Sequence, residues 1–494
     1  MTNIGNLPPM TGRLHGGSPA RIFYIIVLLL MISHQSLGAD PEDYRIKFRI
    51  AGLRDTTCLI ANYYGNNTYI KDTIRIDREG RGIFEAPADL PRGVYILVVS
   101  DKNYTDFVIN NDHRFTLETV SGDLAGQMKI TGSPENQEFY DYLHYNQKKF
   151  HEIEALQAKS EKWKDLPDSV DNINRQIAAI NEEIIRYKLN LVRERPVSFI
   201  SFLINAMKEP VIPVIPDLPD GRKDSAFVYR FYKNHYWDDM DLTDSRLLRT
   251  PVYHNKLKKY FDQVVYQVPD SIIREATLFL GKTRSDPEMF KYTLWFLTYH
   301  YESSEVMGFD EIWVYLVDTY YATGQAPWVS APVLENLLKK TNRTRSLLIG
   351  QTAPNMIMMD TNNQLVSMMH INSDFLILFF WDPDCGHCEK EVPILKEVYD
   401  KYRQAFSLEI FSVCSDTSLV KWKEAVRKRH MNWINVDGPR TLTGDYHEQY
   451  DVHTTPVIYI LDRDKKIIAK RLRTDQVELF LTNYRKRMAR VNMQ

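Results

Sequence analysis

Cys385-Gly386-His387-Cys388 places two thiols one helical turn apart, the spacing at which a pair can cycle between dithiol and disulfide. The chemistry open to such a pair is thiol-disulfide exchange, in which a thiolate attacks a disulfide sulfur and a second thiol resolves the mixed disulfide. The attacking sulfur must then ionise near neutral pH, and its surroundings decide whether it can. Residues 375–381, Phe-Leu-Ile-Leu-Phe-Phe-Trp, are too few for a typical helix and read as a buried strand; Asp382-Pro383-Asp384 ends it before an amphipathic helix begins. Cys385 therefore falls at a helix N-terminus, where unpaired N–H groups and the positive end of the helix dipole stabilise a thiolate. Cys388, one turn inward, is shielded and reads as the resolving thiol.

The same spacing is half of a zinc site. The other two of the four cysteines, Cys58 and Cys414, are isolated, and no His pair lies at ligand spacing downstream, so no metal is expected. A purely structural disulfide across so short a loop would gain little from cross-linking. Cys58 lies in a strand pattern and Cys414 ends another, and each reads as a small buried hydrophobe. Further on, Asp451-Val452-His453-Thr454-Thr455-Pro456 leads into a hairpin of residues 457–462 and 467–470. Pro456 cannot donate to a ladder and must occupy a strand end, and a cis Thr455–Pro456 bond would turn the preceding backbone toward the dithiol.

Taken in order, the Gly350-Gln351-Thr352-Ala353-Pro354 opening, the strand with its C-x-x-C helix, Glu391-Val392-Pro393 and the Thr455–Pro456 hairpin resemble the TlpA/ResA-like thiol-disulfide oxidoreductases of the thioredoxin-like superfamily. The resemblance runs from about residue 349 to the C-terminus. It implies a mixed sheet of about four or five strands with helices on both faces, consistent with strands at 407–413 and 433–436 and helices at 418–430, 441–449 and from 475 onward. By this likeness Cys385, Cys388, Glu391 and Pro456 are the catalytic candidates, with Trp381, Asp384, Gly386, His387 and Thr455 modulating them.

Three features depart from the pattern or qualify it. Asp384 stands where an aromatic usually precedes the first cysteine; a carboxylate there opposes thiolate formation unless it faces solvent or is outweighed by the helix dipole and His387. Phe379 replaces the buried Asp of thioredoxins, which leaves Glu391 as the candidate to take the proton of Cys388, against the plainer reading of an exposed helix glutamate. Gly386-His387 is the dipeptide seen in protein disulfide isomerase; a protonated His387 favours the thiolate and a less reducing potential, without fixing the direction of electron flow.

Arg13, His15 and Arg21 precede an apolar stretch at 22–32, and Ser36 and Gly38 offer a cleavage site, so residues 1–38 read as a secretory signal peptide, with an uncleaved membrane anchor as the alternative. The expected location is the periplasm or cell envelope, where disulfides persist. A chain of 494 residues suggests about three folded units, and 44% hydrophobic with 12% aromatic residues is ample for cores. The net charge of -2 gives no reason to invoke nucleic acid.

Residues 40–132 carry eight short β-rich runs separated by turns and predict an antiparallel β sandwich. Residues 133–345 turn helical: a long pair at 135–162 and 168–193, a Pro-rich break at 209–220, then helices at 227–237, 252–266, 271–280, 289–301 and 311–321. Residues 346–494 form the α/β thioredoxin-like unit. The expected architecture is thus multidomain: an N-terminal antiparallel β sandwich, an all-α middle region and a C-terminal α/β thioredoxin-like domain. This layout, with the Gly132-Ser133-Pro134-Glu135-Asn136 junction, resembles Bacteroidetes members of the same group.

Three functional classes follow. The first is a secreted thiol-disulfide oxidoreductase acting on client proteins with thiols or disulfides, recycled by a membrane or periplasmic redox partner and needing no cofactor. The second is a peroxiredoxin-like peroxidase, which shares the 350–354 opening, although the chain has no P-x-x-x-T-x-x-C site. The third is an envelope binding or assembly protein that uses the redox domain as a docking module.

Overall fold

Alternation of apolar and polar residues builds the first unit. In β1 (Tyr44–Ala51), Tyr44, Ile46, Phe48 and Ile50 are buried while the residues between them face water. The computed structural model describes residues 42–491, so the signal-peptide reading of residues 1–38 lies outside the described residues. Seven further strands follow: β2 (Thr56–Tyr64), β3 (Asn67–Ile76), β4 (Arg81–Ala86), β5 (Gly93–Ser100), β6 (Asn103–Ile109), β7 (Arg114–Val120) and β8 (Lys129–Thr131). They form two four-stranded sheets, β4-β1-β7-β8 and β3-β2-β5-β6. Every pairing is antiparallel except β1 with β7, which is parallel. The period of two says which side chains face inward but carries no strand direction, which depends on how the connection crosses between the sheets.

Nine helices make the middle region: α1 (Pro134–Lys162), α2 (Pro167–Glu194), α3 (Phe199–Met207), α4 (Phe227–His235), α5 (Pro251–Lys259), α6 (Pro269–Thr283), α7 (Pro287–Glu302), α8 (Asp310–Leu316) and α9 (Ala331–Arg345). The expected long pair is α1 and α2, antiparallel, with Tyr145 stacked on Tyr187 and Lys149 bonded to Glu183. The spans expected at 252–266 and 311–321 instead finish as π-helical turns, Tyr260–Val264 and Val317–Tyr321. α3 escapes a search for amphipathic spacing because six of its nine residues are buried, leaving no polar face.

The third unit is a seven-stranded sheet in the order β10-β9-β13-β12-β11-β14-β15, larger than the four or five strands expected. Its strands are β9 (Ile357–Asp360), β10 (Leu365–Ser367), β11 (Phe375–Trp381), β12 (Leu408–Cys414), β13 (Ile434–Thr441), β14 (Val457–Asp462) and β15 (Ile467–Lys470). The surplus is mainly the short β9–β10 hairpin, which pairs with β13. Its helices are α10 (Gly386–Tyr402), α11 (Leu419–Lys428), α12 (Tyr446–Tyr450) and α13 (Thr474–Val491). The helix expected at 441–449 is corrected to α12: Thr441 still belongs to β13, Gly444 takes a positive φ of 94°, and Asp445 caps the helix by accepting from the His447 amide.

All seven residues of β11 are buried, as the apolar run predicts. Phe375, Ile377, Phe379 and Trp381 pack into one core with Val392 and Leu395 of α10 and Val477 of α13. Leu376, Leu378 and Phe380 pack into the opposite one with Met358, Tyr446 and Tyr450. Helices therefore cover both faces, which is what a strand apolar on both sides requires. Among the described residues no helix is long and apolar enough to cross a membrane.

Candidate active site

The turn after β11 is built before the dithiol is reached. The Trp381 carbonyl accepts from the Ser415 amide at 2.9 Å, tying the end of β11 to the residue after β12. Asp382 then organises the turn: one carboxylate oxygen accepts from the Asp384 amide at 2.8 Å, the other from the Ser415 hydroxyl at 2.7 Å, and its carbonyl accepts from the Cys385 amide at 3.2 Å. Arg429 braces the same turn from beyond α11, donating to the Pro383 carbonyl at 2.9 Å with its guanidinium 5.5 Å from the centre of the Trp381 ring. Ser415 and Arg429 carry no sequence motif; only the fold brings them under the loop.

Cys385 is the N-cap of α10, and its sulfur accepts from the Cys388 amide at 3.3 Å. Burial works against ionisation of Cys385, but hydrogen bonds from Cys388, Thr455 and the backbone outweigh it, and the thiol is held below its ordinary range. Cys388 is fully buried; desolvation, reinforced by the hydrogen bond to Cys385, pushes its thiol up to about 12. Both cysteines are free thiols, so one dithiol contains an ionisable, partly accessible sulfur and a shielded one.

The Thr455–Pro456 peptide bond is cis, and the Thr455 carbonyl lies 3.3 Å from the Cys385 sulfur. Asp384 takes the solvent-facing alternative: its side chain is 65% exposed and forms an ion pair with Lys421 of α11, so its charge is directed away from the thiol. Lys421 also pairs with Asp416 at 3.4 Å, and this ammonium is the counter-charge to the cluster of Asp382, Asp384 and Asp416. Gly386 and His387 lie exposed in the first turn of α10. A Cβ added at Gly386 would meet no atom within 4 Å, so no packing demand fixes a glycine there.

Glu391 is neither the ordinary exposed helix residue nor fully enclosed. It is half-buried, and its Oε2 is buried with no hydrogen-bond partner among the described residues. It faces a cavity of about 370 Å³ shared with Thr454, Pro456, Leu472 and Arg473. Phe379 is fully buried in the apolar core, so no carboxylate replaces the missing aspartate at that position. Cys414 is fully buried at the end of β12, where desolvation pushes its thiol up to about 12, and Cys58 is buried in β2.

Residues 372–467 match a family model described as thioredoxin-like, while residues 44–139 and 161–343 match two domains of unknown function, DUF4369 and DUF5106. The chain is 25% identical over 148 residues to a thiol-disulfide oxidoreductase ResA of Bacillus cereus, covering 30% of this chain and 82% of that protein. It is 24% identical over 124 residues to ResA of Bacillus subtilis, covering 25% and 66%. A solved domain of a possible thiol-disulfide isomerase from Cytophaga hutchinsonii is 33% identical, with 29% of this chain and 96% of that one covered and a TM-score of 0.27. A thioredoxin-like protein from Bacteroides caccae is 20% identical over 56% of this chain and 98% of that one, with a TM-score of 0.44.

Proposed function

We propose that this chain, whose C-terminal region belongs to the TlpA/ResA-like thiol-disulfide oxidoreductases of the thioredoxin-like superfamily, is a secreted enzyme of the periplasm or cell envelope that exchanges disulfides with client proteins through Cys385 and Cys388. The observation that carries the reading is the asymmetry of the dithiol: Cys385 caps the helix with its thiol held low, while Cys388 is buried with its thiol raised. In the reducing direction the Cys385 thiolate attacks a client disulfide, forms a mixed disulfide and expels one client thiolate, which takes a proton. Cys388 gives up its proton and attacks the Cys385 sulfur, releasing the second client thiol and closing the Cys385–Cys388 disulfide. Two electrons have then passed to the client, and an external dithiol must restore the enzyme. In the oxidising direction the same steps run backward.

Glu391 is the group assigned to the Cys388 proton, since a buried carboxylate oxygen without a partner is free to accept one. The Thr455 backbone is assigned to pairing with the client strand and Pro456 to shaping that edge, with Trp381, Asp384, Gly386 and His387 modulating the dithiol. The proposed units are residues 1–38 as signal peptide, 40–132, 133–345 and 346–494. A peroxidase would need a cation to polarise peroxide at Cys385, whereas Arg429, beneath the loop, is engaged by Pro383 and Trp381. The test is insulin reduction with dithiothreitol as electron donor. The native chain should catalyse it, Cys385→Ser should abolish it, and Cys388→Ser should accumulate a mixed disulfide; full activity in Cys385→Ser would end the proposal.

A further inference from the structure

The cavity beside Glu391 and Pro456 does not stop at the thioredoxin-like unit. It shares Asp451, Arg471 and Arg473 with a larger cavity of about 700 Å³, whose far wall is the helical region: the end of α7, the loop at 303–308 and the start of α8. The two make one run that begins at Thr454 and Pro456, the neighbours of Thr455, and ends against the helices.

Ion pairs across the seam hold the walls together. Lys470 of β15 pairs with Asp310 of α8 and donates to the Leu347 carbonyl at 2.7 Å, with its side chain only 11% exposed. Arg343 of α9 reaches Glu448 at 2.7 Å and Asp451 at 3.1 Å, both in the segment that leads to Thr455. Walls joined by these ion pairs are part of the fold rather than the sides of a gap between loosely tethered units.

Its chemistry narrows the occupant. Lys340, Lys470 and Arg471 are each paired with a carboxylate of the lining, namely Glu302, Asp310 and Asp451, and Arg473 is paired with Asp475 beside it, so the lining's lysines and arginines are already engaged and favour no anion. The loop contributes two partly exposed apolar side chains at the lip, Val306 at 55% and Met307 at 40% exposure, with the Met307 sulfur accepting from the Lys470 amide at 3.4 Å. An elongated channel with paired cations and a partly apolar lip, reaching the residues that flank Thr455, whose carbonyl lies 3.3 Å from the Cys385 sulfur, suits a polypeptide whose own cysteine is at that thiol.

We propose that the groove binds an extended segment of client polypeptide next to the reacting cysteine, and that the helical region selects clients by supplying the groove's far wall. The inference rests on the oxidoreductase reading above. Its test uses the full chain with two disulfides of different size: insulin and 5,5′-dithiobis(2-nitrobenzoate). Val306→Ser combined with Met307→Ser should raise KM for insulin at least fivefold with kcat unchanged, while turnover of the small disulfide stays within twofold of native. In the Cys388→Ser chain, a photocrosslinker replacing Met307 should join to insulin held on Cys385. A mixed disulfide that forms without crosslinking, together with an unchanged KM, overturns the groove alone. Failure of Cys388→Ser to form any mixed disulfide removes the oxidoreductase premise, and the groove proposal with it.

Discussion

At the scale of single residues, the two cysteines differ by position alone: one caps a helix and the other is one turn inside it. Because the Cys385 thiol is held below its ordinary range, its thiolate fraction at neutral pH exceeds that of a free cysteine. Iodoacetamide at pH 7 should therefore label Cys385 first, and the labelling rate should level off at a lower pH than for a free thiol. Mass mapping of the singly labelled chain checks this, and preferential modification of Cys388 would reverse the assignment. For Glu391→Gln we expect resolution of the mixed disulfide to slow by about 100-fold, the low end of general acid–base catalysis, with attack by Cys385 little changed. Stopped-flow separation of the two steps decides, and an unaltered second step would remove Glu391 from the proton transfer. Cys414→Ala should keep near-native turnover and lose about 1 kcal/mol of stability, an ordinary cost for a core substitution; a loss of turnover as deep as that of Cys388→Ala would make Cys414 a working thiol.

Between residue and domain, the informative element is the join of the sandwich to the helices. Strand β6 is a sheet edge, and edges expose unpaired backbone groups. Asn136, in the first turn of α1 and fully buried, substitutes for a neighbouring strand: its Oδ1 accepts from the Val108 amide at 2.7 Å and its Nδ2 donates to the Val108 carbonyl at 2.8 Å. The α1 cap, Ser133, accepts from both the amide and the side chain of Asn136. Asn136→Ala would leave two buried backbone groups unpaired and should cost about 2–3 kcal/mol. Denaturant unfolding would register it, and a change under 0.5 kcal/mol would show that the edge is satisfied another way. The same physics explains why the Ser-Pro-Glu-Asn junction is a structural joint and not a linker.

Across the whole molecule, the redox unit is fastened to the helices by the Lys470–Asp310 pair. Desolvation lowers the Lys470 pKa despite its partner, so the ammonium is held there at a cost that Asp310 only partly offsets. Asp310→Ala should destabilise the chain by about 3 kcal/mol, because it leaves a buried charge unpaired, whereas Lys470→Met with Asp310→Leu should recover most of that loss. Thermal unfolding of Asp310→Leu, Lys470→Met and the double variant tests it; additive losses in the double variant would mean the residues do not act as a pair.

Much of this protein was legible in its sequence where the signal is local. The buried strand β11, the turn at Asp382–Asp384, Cys385 at the head of a helix and the long α1–α2 pair all follow from periodicity, turn residues and length, which act within a few residues of the chain. The candidates Cys385, Cys388, Thr455 and Pro456, 70 residues apart at the widest hydrogen bond that joins them, are legible because their motifs are ordered along the chain, but their approach to 3.3 Å is a property of the sheet that sets β14 beside β11. Tertiary structure alone decided the rest: the parallel β1–β7 pair, the outward turn of Asp384 toward Lys421, the half-burial of Glu391, and the recruitment of Arg429, Ser415 and Arg343. Strand direction and side-chain partners are set by contacts between segments far apart in sequence, and local propensity carries no information about which distant segment will arrive.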